Sequence, residues 1–240
     1  MKVLFIGGTG NISTSVSRLA VARGMELYLL NRGVRGVEIP GAKILQGDIS
    51  DAGMTARLLG EHQWDVVVDW IAYVESEVRR DIELFRGRTK QYIFISSASA
   101  YQKPLLHPVI TESTPLHNPF WEYSRNKIAC EELLNRAYRE EGFPITIVRP
   151  SHTYDTIVPA LIGSGGEYTL IDRMQRGEKV IVHGDGTTLW TLTHAEDFAV
   201  GFAGLMGHQQ AIGHAFHITS DESLTWNQVF QTLGDAVGVE

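Results

Sequence analysis

Two side chains near the start of a predicted helix could move a proton. Tyr123 and Lys127 are four residues apart, so a helix places them on one face. A free phenol has a pKa of about 10 and is a poor base at neutral pH, but a nearby ammonium favours the phenolate. Lowering the pKa of Tyr123 to about 7 would take roughly 4 kcal/mol, which a desolvated lysine and a positively charged nicotinamide ring could supply together. We therefore predict that Tyr123, helped by Lys127, exchanges a proton with a substrate hydroxyl.

A serine cluster is predicted to lie beside this pair. The buried strand 91–95 runs into Ser-Ser-Ala-Ser-Ala-Tyr at 96–101. Ligands of a doubly wound sheet sit beyond the carboxyl ends of its strands. Ser97 would bind the reacting substrate oxygen and stabilise its developing charge. Such serines are also able to satisfy backbone groups at a strand end, which is the alternative role.

The N-terminal segment is typical of a dinucleotide site. An apolar strand at 2–6 leads through Gly-Gly-Thr-Gly into an amphipathic helix. The N–H groups that begin a helix attract phosphate, Gly7 permits a tight turn, and Gly10 lacks the Cβ that would keep a pyrophosphate away. Ser13 stands where the third glycine of the fingerprint would be. We expect the cofactor to contact Gly7, Thr9, Gly10, Asn11 and Ile12, although an ordinary glycine-rich turn would look similar.

The second and third predicted strands end where an adenosine should bind. Asn31 replaces the acidic residue that would bind both ribose hydroxyls. Arg32, with Arg35 nearby, could pair with a 2′-phosphate, which favours NADP slightly over NAD, or both could be solvated loop charges. Asp48 is expected to meet the adenine amino group and Ile49 to pack on the ring.

The central strand 65–72 is expected to pass beside the nicotinamide. Ala72 would let the cofactor approach closely, and Asp69 needs a partner if it is buried. Hydride would move to or from C4 of the nicotinamide while Tyr123 exchanges its proton. Lys127 would also hold the nicotinamide ribose.

These motifs together resemble the extended short-chain dehydrogenases/reductases of the NAD-dependent epimerase/dehydratase family. The chain carries them in the order typical of that family: 7–10, 47–48, 96–101, 123–127, 149–154, 184–186 and 194–197. The resemblance implies that Ser97 is the catalytic serine, Tyr123 the base and Lys127 its partner. It implies cofactor contact at Pro150. It places substrate contacts at Ser99, Tyr101, Ser151 and His152, the last of which could instead be a packing residue.

The resemblance also implies the architecture. Alternating strands and helices predict an α/β fold, a Rossmann-type doubly wound parallel sheet with a small C-terminal substrate lobe. We expect residues 1–150 to form the NAD(P)-binding domain with the catalytic residues, and 151–240 to add lobe segments and return in part to the core. A two-stranded feature is predicted from 180–182 and 189–192, and a flexible loop at 163–166. The chain ends at Glu240, where relatives continue, so a truncated lobe is an open alternative.

Composition limits the partners. The formal net charge is −7, whereas nucleic-acid binders usually show a basic face. Hydrophobic residues make up 43% of the chain without a run long enough to span a bilayer, so we expect no membrane partner. The single cysteine, Cys130, excludes an internal disulfide and a cysteine cluster for zinc, and we expect no metal. Without a signal peptide, a reducing cytoplasm is the predicted location.

The sequence thus predicts an NAD(P)-dependent oxidoreductase, epimerase or dehydratase that acts on a nucleotide sugar or related polyol. By resemblance it would be a homodimer, formed through helices at 75–85 and 120–141. Two alternatives stay open. One is a non-catalytic dinucleotide-binding regulator or RNA-associated protein of the same superfamily, and the other is an inactive fragment.

Overall fold

A parallel sheet forms the centre of the molecule. The computed structural model describes residues 1–34, 36–157, 159–160 and 168–239. Its strands are β1 (Lys2–Ile6), β2 (Glu26–Asn31), β3 (Lys43–Gln46), β4 (Val66–Asp69), β5 (Tyr92–Ile95), β6 (Ile145–Pro150), β7 (His152–Tyr154), β8 (Leu189–Trp190), β9 (Leu192–His194), β10 (Ala215–Ile218) and β11 (Leu224–Thr225). Seven of them form one sheet in the order β10-β6-β5-β4-β1-β2-β3, and every neighbouring pair is parallel.

Helices cover both faces of this sheet. They are α1 (Ser13–Ala22), α2 (Ala52–Leu59), α3 (Glu75–Phe85), α4 (Glu122–Glu141), α5 (Thr169–Gln175), α6 (Ala195–Leu205) and α7 (Trp226–Val237). Buried residues of α2, α3 and α4 pack with one set of strand side chains, and those of α1 and α6 pack with the other set. Burial on both faces explains why β1, β4 and β5 read as continuous apolar runs. The predicted doubly wound α/β fold is confirmed. None of the described helices is long and apolar enough to cross a membrane.

The sheet has an edge strand that the sequence patterns do not reveal. β10 pairs with β6, and α6 packs against α1, so both elements come from beyond residue 150 and join the central core. All four residues of β10 are only partly buried, which leaves it without a strongly apolar run. The division of the chain at residue 150 stays a prediction.

The predicted two-stranded feature at 180–192 is wrong. β8 pairs antiparallel with β11, β9 pairs parallel with β7, and residues 180–182 lie outside the strands. The intervening turn is tied to α7 instead, because the Asn227 N–H donates to the Gly186 carbonyl over 2.9 Å. α5 and α7 pack together around Trp226 and Phe230 in a second, smaller core. The predicted loop at 163–166 lies outside the described residues.

Candidate active site

The turn after β1 has the geometry that glycine permits. Gly7 and Gly8 have φ values of +94° and +93°. A Cβ on Gly7 would lie 3.1 Å from Ile71 Cγ2, and one on Gly8 would lie 2.7 Å from Leu29 Cδ2. Side chains are strained at such φ values and have no room here. The predicted tight turn between β1 and α1 is therefore present.

The first turn of α1 leaves donors available for an anion. Ile12 is the N-cap and makes no side-chain capping bond, and the described first turn carries no acidic side chain. Ser13 Oγ accepts a hydrogen bond from the Gly10 N–H at 2.8 Å. Asn11 Nδ2 donates to the Thr153 carbonyl, whereas its Oδ1 is buried without a partner among the described residues. The glycine turn and a helix start without a side-chain cap fit a dinucleotide pyrophosphate, whereas the Asn11 oxygen is an acceptor and would need a donor such as a hydroxyl.

Two of the residues predicted to bind the adenosine, Arg32 and Asp48, interact with each other. Arg32 Nη1 lies 3.9 Å from Asp48 Oδ2. Asn31 Oδ1 accepts a hydrogen bond from the Gly33 N–H. The backbone N–H and hydroxyl of Ser50, with a smaller contribution from Arg32, hold the pKa of Asp48 below its usual value. Ile49 is buried in the core cluster on the α2 side. Arg35 lies outside the described residues. No sequence pattern predicts the Arg32–Asp48 ion pair, because its two residues follow different strands.

Three predicted catalytic side chains meet at the ends of β4 and β5. Tyr123 lies beside Ser97, close enough for the serine hydroxyl to influence the pKa of the phenol. Lys127 Nζ lies 5.7 Å from the centre of the Tyr123 ring. Lys127 is almost fully buried and donates to the carbonyls of Ala72 and Ile95, each over 2.7 Å. Its burial lowers its pKa to about 8.

The groups of the protein alone do not lower the Tyr123 pKa. Burial raises this pKa, the neighbouring Ser97 hydroxyl opposes the rise, and the charge of Tyr73 adds to it. The reason is that burial disfavours a phenolate, while the Lys127 ammonium is held by two backbone carbonyls rather than by the phenol. The helical spacing predicted a shared face correctly but could not predict these two acceptors.

A chain of hydroxyl groups behind Ser97 was not predicted from the sequence. Ser97 Oγ and Ser124 Oγ each donate to Ser99 Oγ over 2.9 Å. Asn118 Nδ2 donates to the Ser99 carbonyl and to Ser124 Oγ. Ser99 is thus a partner of Ser97 within the protein. In the sequence, the one indication that Ser124 belongs to this chain of hydroxyl groups is its position next to Tyr123.

Tyr101, a predicted substrate contact, belongs to a buried hydrogen-bonded network. Its side chain is fully buried, and its hydroxyl accepts a hydrogen bond from Arg149 Nη1. Arg149 also donates to both carboxylate oxygens of Glu131, over 3.0 and 2.6 Å. Ser96 Oγ donates to the same carboxylate. This buried network ties β5, α4 and β6 together beneath the serine cluster.

Aromatic rings line the remaining sides of the site. Tyr73 lies under the Lys127 ammonium at 4.5 Å, and Trp121 lies 4.8 Å from the Tyr123 ring. The rings of Tyr73 and Trp121 are about half exposed. Sequence patterns did not single out either residue, because each lies just before a helix rather than within a motif.

Of the residues predicted at the end of β6 and just after it, His152 contacts the smaller core. Pro150 is buried at the end of β6, and Ser151 Oγ donates to the Thr191 carbonyl over 3.5 Å. His152 is partly buried, and its ring meets Trp190 and Trp226 edge-on at 6.0 and 6.4 Å. Burial lowers the pKa of His152, which favours the neutral ring. Among the described residues, no group of three or more His, Cys, Asp or Glu side chains could hold a metal ion.

Known proteins similar to this chain include both enzymes and a stem-loop binding protein. It is 24% identical to 2′-dehydrokanamycin reductase of Streptomyces kanamyceticus, over 99% of this chain and 67% of the relative. A UDP-glucose 4-epimerase of Lactobacillus helveticus is 31% identical, over 62% of this chain and 51% of the relative. The chloroplast stem-loop binding protein of 41 kDa b of Arabidopsis thaliana is 26% identical, over 99% of this chain and 63% of the relative. The chain thus spans about half to two thirds of the length of these curated relatives.

Solved structures share the fold. The dTDP-glucose 4,6-dehydratase of Bacillus anthracis, in complex with NAD, superposes with a TM-score of 0.81 at 18% identity, covering 100% of this chain and 82% of that one. The UDP-glucose 4-epimerase of Thermotoga maritima, with UDP-glucose, also gives 0.81 at 21% identity, covering 100% and 84%. The model of the NAD dependent epimerase/dehydratase family matches residues 3–219. The chain therefore belongs to the NAD dependent epimerase/dehydratase family, among the extended short-chain dehydrogenases/reductases.

Proposed function

We propose that this protein is an NAD(P)-dependent oxidoreductase, epimerase or dehydratase that acts on a nucleotide sugar or related polyol. The observation that carries the proposal is the grouping of Ser97, Tyr123 and Lys127 at the ends of β4 and β5. The glycine turn and the free first turn of α1 stand at the same edge of the sheet. A hydroxyl-bearing substrate bound there would meet an acid-base group and a dinucleotide together.

The dinucleotide would be held by residues at three strand ends. The pyrophosphate would lie over Gly7, Thr9, Gly10, Asn11 and Ile12, and the adenosine would lie near Asn31, Arg32, Asp48 and Ile49. Ala72 and Pro150 would border the nicotinamide. When bound, the nicotinamide supplies the carbon that accepts or donates hydride.

The chain itself supplies the proton chemistry. Tyr123 Oη takes or gives the proton of the substrate hydroxyl, and Ser97 Oγ hydrogen-bonds the same oxygen. An ammonium has three N–H donors and Lys127 uses two on carbonyls, so one remains for a ribose hydroxyl. Because burial raises the Tyr123 pKa, a positive charge brought by the cofactor would be needed to favour the phenolate.

Substrate contacts are proposed at the rim of the site. Ser99, Ser151 and His152 are the predicted polar candidates, while Tyr73 and Trp121 offer partly exposed rings. UDP-glucose 4-epimerases and a dTDP-glucose 4,6-dehydratase among the relatives support a nucleotide sugar. The similarity to 2′-dehydrokanamycin reductase is compatible with a substrate that is a polyol but not a nucleotide sugar.

The first test separates binding from turnover. The protein is titrated with NAD, NADH, NADP and NADPH, and unfolding is followed by thermal shift. A ligand at a hundredfold its Kd should stabilise the fold by about 2.7 kcal/mol. Turnover of nucleotide sugars is then followed by reduced-nicotinamide absorbance and product chromatography. Tyr123→Phe should bind the cofactor but lose turnover, whereas Tyr138→Phe, on the same helix, should retain both. Full activity in Tyr123→Phe, or no stabilisation by any dinucleotide, would contradict the proposal.

A binding protein is the second candidate. The stem-loop binding relative matches 99% of this chain, which favours a dinucleotide-binding regulator or an RNA-associated role without turnover. The net charge of −7 weighs against RNA. Saturable binding of a stem-loop RNA at physiological salt, weakening as salt rises, would support this candidate if no substrate turns over.

We also propose that the protein is a cytoplasmic homodimer that pairs through α3 and α4. The two helices pack against each other in one chain, with Val78, Ile82 and Leu134 in the shared core cluster. Light scattering after gel filtration gives the mass in solution. A monomer at micromolar concentration would contradict this proposal.

A further inference from the structure

Asp69 is a buried carboxylate at the carboxyl end of β4. Only 1% of its surface is exposed, although the strand around it is apolar. Its Oδ1 accepts hydrogen bonds from the N–H groups of Ile71 and Ala72, over 2.6 and 2.8 Å. These two bonds fix the backbone turn that follows β4, because each donor lies within three residues of the carboxylate.

The same turn binds the lysine of the site. The Ala72 carbonyl accepts a hydrogen bond from Lys127 Nζ over 2.7 Å. Ala72 thus donates its backbone N–H to Asp69, and its carbonyl accepts a hydrogen bond from Lys127. Displacing the carboxylate would free this residue to rotate and would withdraw one of the two carbonyls that hold the ammonium.

The negative charge of Asp69 is also favourable for Lys127. Burial lowers the pKa of Lys127, while the charges of Cys130, Asp69, Glu77 and Glu131 oppose the shift. Burial raises the pKa of Cys130 to about 12, so this thiol is neutral near pH 7. Each of these three carboxylates also has other partners. Glu131 pairs with Arg149, and Glu77 accepts from the N–H groups of Tyr73 and Val74.

The far side of Asp69 faces a second buried carboxyl. Arg80 Nη2 lies 3.6 Å from Asp69 Oδ2, and Arg80 donates twice to Asp81. Tyr92 donates to the other oxygen of Asp81. Burial, and then the charge and hydrogen bond of Asp69, raise the pKa of Asp81 well above its usual range.

We propose that Asp69 is a positioning residue for Lys127: it fixes the turn that binds the ammonium and supplies a buried counter-charge to it. This role rests on the proposed function, because it matters for turnover only if Lys127 takes part in the reaction.

The test reads Lys127 directly, without substrate or cofactor. The chain has six lysines, so labelling with ¹³Cε-lysine gives a simple NMR spectrum in which Lys127 is assigned by Lys127→Met. In Asp69→Asn the amide oxygen can still accept both N–H groups, but the charge is gone. The titration midpoint of Lys127 should fall from about 8 by on the order of one pH unit. The other lysines should not move.

Two further variants test whether the effect is specific to Asp69 and separate its charge from its hydrogen bonds. Asp65→Asn removes a carboxylate from the opposite end of the same strand, where it pairs with Lys90, and should leave the Lys127 midpoint unchanged. Asp69→Ala removes both charge and turn, so it should also weaken cofactor binding and turnover more than Asp69→Asn does. A folded Asp69→Asn protein with an unmoved Lys127 midpoint overturns the proposal.

A reciprocal measurement covers the case in which Asp69→Asn does not fold. Loss of the ammonium in Lys127→Met should speed hydrogen exchange at the N–H groups of Ile71 and Ala72, because the turn that binds Asp69 then loses its bond to Lys127. Unchanged exchange at both N–H groups overturns the proposal. Failure of the proposed function is seen elsewhere, as absent dinucleotide binding or as activity that survives Tyr123→Phe. The two failures are therefore distinguishable.

Discussion

A methyl group on Gly8 would lie 2.7 Å from Leu29 Cδ2, inside the contact distance of two carbons. Gly8 also has a φ of +93°, and Leu29 is fully buried in β2, so neither residue can yield without disturbing the core. The close approach of β2 to the glycine turn thus depends on the absence of a side chain at residue 8.

Gly8→Ala should therefore destabilise the fold beyond the backbone strain alone. Gly24→Ala is the matched control, because Gly24 has a φ of +74° but nothing within 4 Å of an added Cβ. We expect Gly24→Ala to lower the free energy of unfolding by about 1 kcal/mol, and Gly8→Ala by roughly 1–3 kcal/mol more. Urea unfolding measures both. Equal losses would mean that Leu29 yields freely to the methyl group.

The buried ion pair beneath the serine cluster gives a second prediction. Arg149→Met should leave the carboxylate of Glu131 buried without its cation and lower the free energy of unfolding by about 3–5 kcal/mol. The exposed pair of Arg86 with Glu141 supplies the control, and Arg86→Met should cost about 1 kcal/mol or less. Denaturant unfolding measures both variants.

A double variant separates the lost charge partner from lost packing. If the cost comes from an uncompensated carboxylate, Glu131→Gln combined with Arg149→Met should recover part of it. A double variant no more stable than Arg149→Met would show that the guanidinium acts mainly through packing against Tyr101.

Sequence patterns were sufficient where burial and local spacing determine the structure. Apolar runs predicted β1, β4 and β5, and glycine predicted the turn at Gly7. The helical spacing of Tyr123 and Lys127 placed both side chains on one face. Each of these features is encoded within a few neighbouring residues, so no knowledge of distant contacts is required.

Features that depend on distant pairing could not be predicted. β8 has two residues and pairs with β11 across more than thirty positions, so neither strand shows a period. The Tyr123 pKa depends on where the Lys127 ammonium is held, and its two carbonyls come from β5 and from the turn after β4. The partner of Asp48 is likewise a residue of a different strand end.

The free energy of unfolding should depend on pH through the titration of Lys127. Burial lowers its pKa in the folded state to about 8, from 10.5. Between these values the unfolded chain binds a proton that the folded chain does not, so this group makes the free energy of unfolding rise as the pH rises through that window. Relative to Lys127→Met, the wild-type protein should gain about 3 kcal/mol from pH 7 to 10.5.

Chemical unfolding of both proteins at a series of pH values measures this difference. Lys43→Met is a control for alkaline effects that are unrelated to burial, because Lys43 is exposed and paired with Glu26. If the wild-type free energy of unfolding stays constant or falls relative to Lys127→Met across this window, burial does not lower the pKa of Lys127.

The choice of cofactor should depend on Arg32. Its guanidinium is largely exposed and 3.9 Å from Asp48 Oδ2, so it can turn toward a 2′-phosphate at little cost in desolvation. Arg32→Ala should weaken NADPH binding about tenfold, equivalent to about 1.4 kcal/mol, and leave NADH binding nearly unchanged. Asp48→Asn should move the preference toward NADPH, because it removes the anion that competes for Arg32. Calorimetric Kd values for both cofactors measure the change.

Arg18→Ala is the matched control for this prediction. Arg18 is an exposed arginine on α1, and its loss changes the net charge by the same amount. If Arg18→Ala weakens NADPH binding as much as Arg32→Ala does, the effect comes from the overall electrostatic potential of the protein. If Arg32→Ala weakens NADH and NADPH equally, Arg32 contacts a part common to both cofactors. Only a loss confined to NADPH and to Arg32 identifies this side chain as the one that reads the 2′-phosphate.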